Sequence, residues 1–368
     1  MRQIRTVLMK RIGFLYEKIC DINNIFAAIK EASKGKRNTY AVRRVLEDQN
    51  NHAAQIRNLL ITKTYTPTPC TVREIRDPCS GKVRAISCPK FYPDQIIHWA
   101  LLLQTRDILL RGSYEHSAGG LPGRGAHMLS RSVMRWLRKD QKNTKYFLKL
   151  DISKFYGSID CDRLKQRLRK VIKDQDTLWL FDTIIGKARG LPIGYVTSVY
   201  LSDFYLQDVD HFIKEQLGVK HYARYVDDMV LFGPNKKKLH HTHKLLEALL
   251  SHRGLQIKEN WQVSPIAARD VDFLGFRMNR HRMIMRKRVA LRIRRRFRRA
   301  AKKPLGAKDA AALVSYWGVL KHCDSFHFRL QYIDPYVSLE KAKEVISHGS
   351  SRIKPASKTD SNRKTPER

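Results

Sequence analysis

The sequence predicts an α+β chain built round an antiparallel sheet, and three observations carry that expectation. Short runs at 146–150, 221–226 and 229–232 read as strands, the last two from their β-branched and aromatic residues. They alternate with stretches of helical spacing but without a regular βαβ period, which argues against a doubly wound sheet. The second and third runs are separated only by Asp227-Asp228, so they form a hairpin with two carboxylates at its connection. At 368 residues and a 42% hydrophobic fraction, the chain can build two or three units with real cores.

The elements follow in order. Residues 12–60 read as helical from Ile12, Leu15, Ile19, Ile22, Ile25, Phe26 and Ile29, with an interruption at Lys34-Gly35-Lys36. Thr66-Pro67-Thr68-Pro69 breaks any helix, and 72–75 and 82–86 read as two strands joined by a turn through Pro78 and Gly81. A helix over 94–111, a glycine-rich loop at 119–125 and a helix to about Lys139 lead to the strand that ends on Asp151. Helical text runs over 162–187 and 197–217, with a break at Gly190-Leu191-Pro192-Ile193-Gly194. After the hairpin come a helix (236–252), a short strand (255–258) and a further strand segment at 272–278. An amphipathic helix is expected over 310–330, and after His348 a tail rich in Ser, Lys, Pro and Arg is expected to be disordered.

Charge narrows the partner. Lys and Arg number 72 against 34 Asp and Glu, a formal +38 that would repel itself without a polyanion beside it. Residues 282–303 concentrate this surplus, with Arg286, Arg288, Arg292, Arg295, Arg296 and Arg299 among twelve basic residues and no acid. A charge run is usually a solvated face, but one this dense and single-signed fits a phosphate backbone better. No apolar run is long enough to span a bilayer, and the N-terminal apolar stretch is too short for a signal peptide. The chain therefore reads as intracellular, with no membrane partner. Cys70, Cys79 and Cys88 match no zinc spacing, and His240-His241-Thr242-His243 reads as an exposed helix face.

The acids suggest the chemistry. If the strand ending on Asp151 lies beside the Asp227-Asp228 hairpin, three carboxylates converge at one sheet edge. Such a set suits two Mg²⁺ ions roughly 3.5–4 Å apart, as used for in-line phosphoryl displacement. A nuclease would need the same acids, so the neighbours decide. Arg76, Lys82 and Arg84 stand on the earlier hairpin, where they could grip a triphosphate. Gly194, lacking a Cβ, would let backbone approach a base pair. Tyr156, five residues past Asp151, could press on a ribose 2′ position. Each has a plainer reading, as strand charge, helix-start turn or core ring.

The ordered set Leu150-Asp151 with Phe155-Tyr156, Leu191-Pro192-Ile193-Gly194 with Ser198, Tyr225-Val226-Asp227-Asp228, and Phe273-Leu274-Gly275-Phe276 resembles the successive motifs of reverse transcriptases. The resemblance covers roughly residues 20–340. It implies a right-hand polymerase fold with fingers, an antiparallel palm and a helical thumb, and RNA-directed DNA polymerisation with two Mg²⁺, Mn²⁺ being the alternative ion. By this likeness Asp151, Asp227, Asp228 and the Ile152 carbonyl bind metal. Arg76 and Arg84 meet the dNTP, Tyr156 is the steric gate, and Phe273, Leu274, Gly275 and Phe276 are the primer grip. The implied organisation is an N-terminal helical extension (1–60), fingers with part of the palm (61–150), palm (151–280), basic thumb (281–346) and disordered tail (347–368).

Within that family the sequence is most similar to diversity-generating retroelement reverse transcriptases of phages and bacteria. Ile193 stands before Gly194 where most relatives have glutamine, and residues 21–25, 34–37 and 315–322 look like the N-terminal segment and thumb helix of that group. This implies a cytoplasmic enzyme of mutagenic retrohoming, copying a structured RNA with errors at adenines beside a small basic accessory protein. Val199 departs from the Gln such enzymes carry, which keeps a retron or group II intron-like enzyme open. A catalytically silent RNA-binding relative is the remaining alternative.

Overall fold

In the computed structural model, residues 11–76, 81 and 83–351 are described, side chains only as far as His348. The chain divides into two compact units, through Leu274 and from Gly275 onward.

Four helices open the first unit: α1 (Tyr16–Cys20), α2 (Ile22–Ser33), α3 (Tyr40–Glu47) and α4 (Gln49–Ile61). Asp21 starts α2 by accepting hydrogen bonds from the Asn23 and Asn24 amides, which would otherwise lack partners in the first turn. A two-stranded antiparallel ribbon follows, β1 (Thr71–Arg76) with β2 (Val83–Cys88), in the register Ile75 to Arg84 and Arg76 to Val83. Lys82 lies outside the described residues. Helix α5 (Ile96–Leu110) is buried along most of its length and packs against α2 and α10 (Val196–His211).

The central sheet has five strands in the order β3 (Ser117–Ala118), β5 (His221–Tyr225), β6 (Asp228–Gly233), β4 (Tyr146–Asp151), β7 (Gln262–Pro265). Only β3 runs parallel to its neighbour. Phe147, Leu148, Leu150, Met229, Val230, Leu231 and Phe232 are all buried, so both faces of β4 and β6 are covered. In the observed register Tyr146 lies opposite Gly233 and Leu148 opposite Leu231. Helices α6 (Ala126–Lys139), α7 (Phe155–Ser158), α8 (Cys161–Val171), α9 (Gln175–Ile185) and α11 (Lys236–His252) complete this unit with the short strand β8 (Val271–Phe273).

The second unit holds a hairpin, β9 (Phe276–Met278) with β10 (Met283–Met285), and the helices α12 (Lys287–Ala300), α13 (Ala307–Leu320), α14 (Phe326–Tyr332) and α15 (Leu339–Ser351). On α12, Val289, Ile293, Phe297 and Ala300 form a buried stripe at helical spacing, leaving the arginines on the other faces.

Several sequence expectations need correction. The helical run expected over 162–187 is two helices, because Ile12 pairs with Ile172 between them and Asp174 starts α9 by accepting from the Asp176 and Thr177 amides. The helix expected over 310–330 breaks at 321–325, where Asp324 turns back to accept from the Met283 amide at 2.7 Å. His243 does not sit on an exposed face: it is buried and stacked on Trp261 with centroids 3.7 Å apart. Helix α15 continues to Ser351, past the point where the tail was expected to begin, and the rest of that tail lies outside the described residues. Among the described residues, no helix is long and apolar enough to cross a membrane.

Candidate active site

Strands β4 and β6 place Asp151 directly opposite Asp228, and β5 places Tyr225 on its other side. Asp227 sits in the connection, and its carbonyl accepts from the Ile152 amide at 3.3 Å. The turn is therefore stitched to the end of β4. Val226, just before it, has φ 57°, a left-handed conformation that costs a β-branched residue on the order of 1–3 kcal/mol. Burial, and then the neighbouring charge of Asp151, push the Asp227 carboxyl up to about 6.

Two lysines meet these acids. Lys258 Nζ donates to Asp151 Oδ2 at 2.5 Å, while its backbone N–H donates to the Asp151 carbonyl at 2.8 Å. The expected strand over 255–258 is only a bridge between Ile257 and Ile152. Its lysine is partly buried, not the exposed strand charge that its position in the sequence suggests. Lys149 lies 3.9 Å from Asp228 Oδ1 and also donates to the Asp272 carbonyl.

The donors suit a hard divalent cation in kind: two adjacent carboxylates, a third across the sheet, and a buried Asp151 Oδ1 with no hydrogen-bond partner among the described residues. They are not gathered into a ready ligand set. Among the described residues no group of three or more His, Cys, Asp or Glu side chains is arranged to hold a metal. With Lys258 on Asp151, part of that carboxylate is already engaged.

The remaining expected residues fall into a connected series. Tyr156 lies in α7, with its hydroxyl 3.4 Å from Ser202 Oγ. Its carbonyl accepts from the Leu191 amide at 2.7 Å, and the Ile193 carbonyl accepts from the Ser87 amide at 2.7 Å. Backbone bonds thus link the segment after Asp151, the 190–194 loop, and β2 with Arg84. Gly194 (φ 115°) is needed for this contact, since a Cβ there would lie 2.2 Å from the Ser87 carbonyl oxygen. The space expected for a base pair is, on that side, filled by β2. Arg76 and Arg84 are exposed on the ribbon.

Phe273 and Phe276 are buried, and the bend between them is made by Leu274 (φ 56°) and Gly275 (φ 85°). Arg286 precedes α12, and Arg288, Arg292, Arg295, Arg296 and Arg299 lie along it. Arg296 is ion-paired with Asp309 of α13, which also meets Lys303 at 3.1 Å. An acid six residues beyond the basic run partly neutralises it.

Arg224 has no role in the expectations drawn from sequence. It is fully buried and bound by Asp203 and Asp210. The signal was present: two acids seven apart on one helix share a face, and an arginine stands immediately before the Tyr225-Asp228 motif.

Comparison with known proteins defines the class. Residues 75–278 match the family described as reverse transcriptase (RNA-dependent DNA polymerase), and the chain belongs to that family. The chain is 30% identical over 105 residues to nuclear intron maturase 1, mitochondrial, of Arabidopsis thaliana, a match covering 28% of this chain and 14% of the maturase. Among solved structures it is similar to apo telomerase from Candida tropicalis, truncated from its C-terminal domain (TM-score 0.44, 14% identity, 62% of this chain and 59% of that one). It is also similar to telomerase from Candida albicans in complex with a fragment of telomeric RNA (TM-score 0.45, 13% identity, 80% and 65%). The chain spans less than two thirds of each of these proteins.

Proposed function

We propose that this chain is an RNA-directed DNA polymerase that joins dNTPs to a primer on an RNA template. The observation that carries the reading is the pairing of Asp151 with Asp228 across β4 and β6, with Asp227 in the stitched turn between β5 and β6. Asp151, Asp227, Asp228 and the Ile152 carbonyl would hold two Mg²⁺ ions, or Mn²⁺. Held by these residues, the metal would supply Lewis acidity toward a primer hydroxyl and positive charge toward the triphosphate. Partial burial of the acids strengthens their attraction for a divalent cation.

The chain's own residues then position the substrates. Arg76 and Arg84 grip the triphosphate, and Tyr156, braced by Ser202, blocks a ribose 2′ hydroxyl. Residues 273–276 hold the primer end, and the exposed arginines of α12 follow the duplex backbone. Primer extension with an RNA template, dNTPs and Mg²⁺ tests this. The wild type should make DNA, and Asp227→Ala/Asp228→Ala should bind RNA yet make none. RNA binding with no DNA from the wild type would instead favour the silent RNA-binding relative.

The finer reading is the error-prone enzyme of a diversity-generating retroelement, cytoplasmic and assisted by a small basic protein. Ile193 supports it, since an apolar side chain offers no hydrogen bond beside the templating pair. Identity to the plant maturase over 105 residues favours a second reading, a group II intron-like enzyme. Sequencing the cDNA separates them, because only the first predicts errors concentrated at template adenines.

A further inference from the structure

The turn that carries Asp227 is entered through Val226, whose left-handed backbone is disfavoured for a β-branched side chain. Contacts on two sides keep it there. The Val226 amide donates to the Ala118 carbonyl at 2.9 Å, and its Cγ2 fills the space beside Gly119, where an added Cβ would lie only 2.3 Å away. On the other side Arg224 Nη1 donates to the Val226 carbonyl at 3.1 Å.

Arg224 cannot swing away from that bond without breaking others. Its Nε and Nη2 donate to Asp210 at 2.7 and 2.5 Å, and Nη2 also donates to Asp203 at 3.0 Å. Asp210 accepts as well from the Tyr222 hydroxyl at 2.8 Å, and Asp203 from Ser113 and Ser117 at 2.8 and 2.5 Å. The guanidinium fork is thus fixed in one orientation. Buried ion clusters seldom stabilise a fold more than apolar packing would, so orientation is the better account of this one.

We propose that Arg224 and Gly119 are positioning residues, which hold Val226 in its left-handed conformation and so set Asp227 against Asp151. This rests on the polymerase reading, in which those two acids work together. If Val226 relaxed to negative φ, the peptide entering Asp227 would rotate and the carboxylate would leave its place beside Asp151. A purely structural cluster would give lower stability and nothing more.

The test compares Arg224→Lys and Gly119→Ala, alone and with Val226→Gly. Lysine keeps the charge but cannot reach both aspartates and the carbonyl together. Alanine at 119 drives a methyl into Val226 without touching the ion cluster, and it is also strained by the φ of 125° there, which Val226→Gly does not relieve. Glycine at 226 adopts the left-handed conformation easily and removes Cγ2. In the folded single variants kcat should fall at least about tenfold, as expected when reacting groups are misplaced by an ångström. KM for dNTP and template-primer affinity should stay within about twofold, the split that marks loss of a transition-state interaction. Mn²⁺ affinity without nucleic acid, read by electron paramagnetic resonance, should weaken in parallel, and Val226→Gly should recover part of both losses.

Folded single variants with wild-type kcat and Mn²⁺ affinity would overturn the proposal, as would failure of Val226→Gly to recover either. If Arg224→Lys does not fold, Gly119→Ala decides. A wild type that makes no DNA would sink the polymerase reading, while the Mn²⁺ comparison would still judge the positioning.

Discussion

Lys258 Nζ lies 2.5 Å from Asp151 Oδ2, and the same residue's amide bonds the Asp151 carbonyl, so one residue holds both ends of the first acid. The ammonium neutralises a carboxylate that would otherwise repel Asp227, and a divalent cation would compete for the same oxygen. Lys258→Met should lower stability by about 1 kcal/mol without added metal, a modest cost because the pair is partly exposed. Added Mg²⁺ should raise the melting temperature more in the variant than in the wild type. Thermal unfolding with and without Mg²⁺ measures both effects, and equal Mg²⁺ shifts would refute the competition.

The arginines of α12 should divide into two behaviours. Arg295 and Arg299 are exposed, whereas Arg296 is ion-paired with Asp309. Replacing Arg295 or Arg299 with Ala should reduce the slope of log affinity for RNA/DNA duplex against log salt by about 0.9 each. Arg296→Ala should change the slope less and lower the melting temperature instead. Fluorescence anisotropy across a salt series, beside thermal unfolding, distinguishes them.

Acid should weaken the first unit through His98. Burial holds this imidazole down at about 4, and neither ring nitrogen has a hydrogen-bond partner among the described residues. Asp94 opposes the shift weakly, and the Tyr195 ring packs beside it at 4.9 Å. An unfolded histidine titrates near 6.5, so between the two values the unfolded chain binds more protons. Stability therefore rises with pH across that window and is lost as pH falls through it, by about 3 kcal/mol in full. Urea unfolding at pH 7.5 and pH 4.5 should show the loss, and His98→Leu should reduce it.

On the retroelement reading, Ile193→Gln should supply the side-chain hydrogen bond that Ile193 cannot offer beside the templating pair. Misincorporation at template adenines should drop about fivefold, the value of one net hydrogen bond. The readout is cDNA sequencing from a template of fixed composition. An unchanged adenine error rate would remove Ile193 as the cause.

Much of this was legible in the sequence, for reasons that differ by element. Residues 146–151 and 228–233 are short runs of aromatic and aliphatic residues, and they are strands whose pairing opposes Asp151 to Asp228. The helices at 96–110, 126–139 and 236–252 follow their apolar spacing. What could not be read depends on partners distant in the chain. The break at 321–325 answers to Met283, the interruption after Val171 answers to Ile12, and Lys258 became a partner of Asp151 only once 256–258 bridged to β4. Gly194 was expected to open space and instead admits the Ser87 carbonyl. For Arg224 the spacing of Asp203 and Asp210 was a signal, but that the two acids face the arginine is evident only once the chain is folded.

The most direct measurement is the anomalous difference map of crystals grown with Mn²⁺, template-primer and a dNTP. The account predicts two peaks among the Asp151, Asp227 and Asp228 carboxylates, with Lys258 displaced from Asp151. Asp151 still bound to Lys258, with no peak between it and the turn, would contradict it.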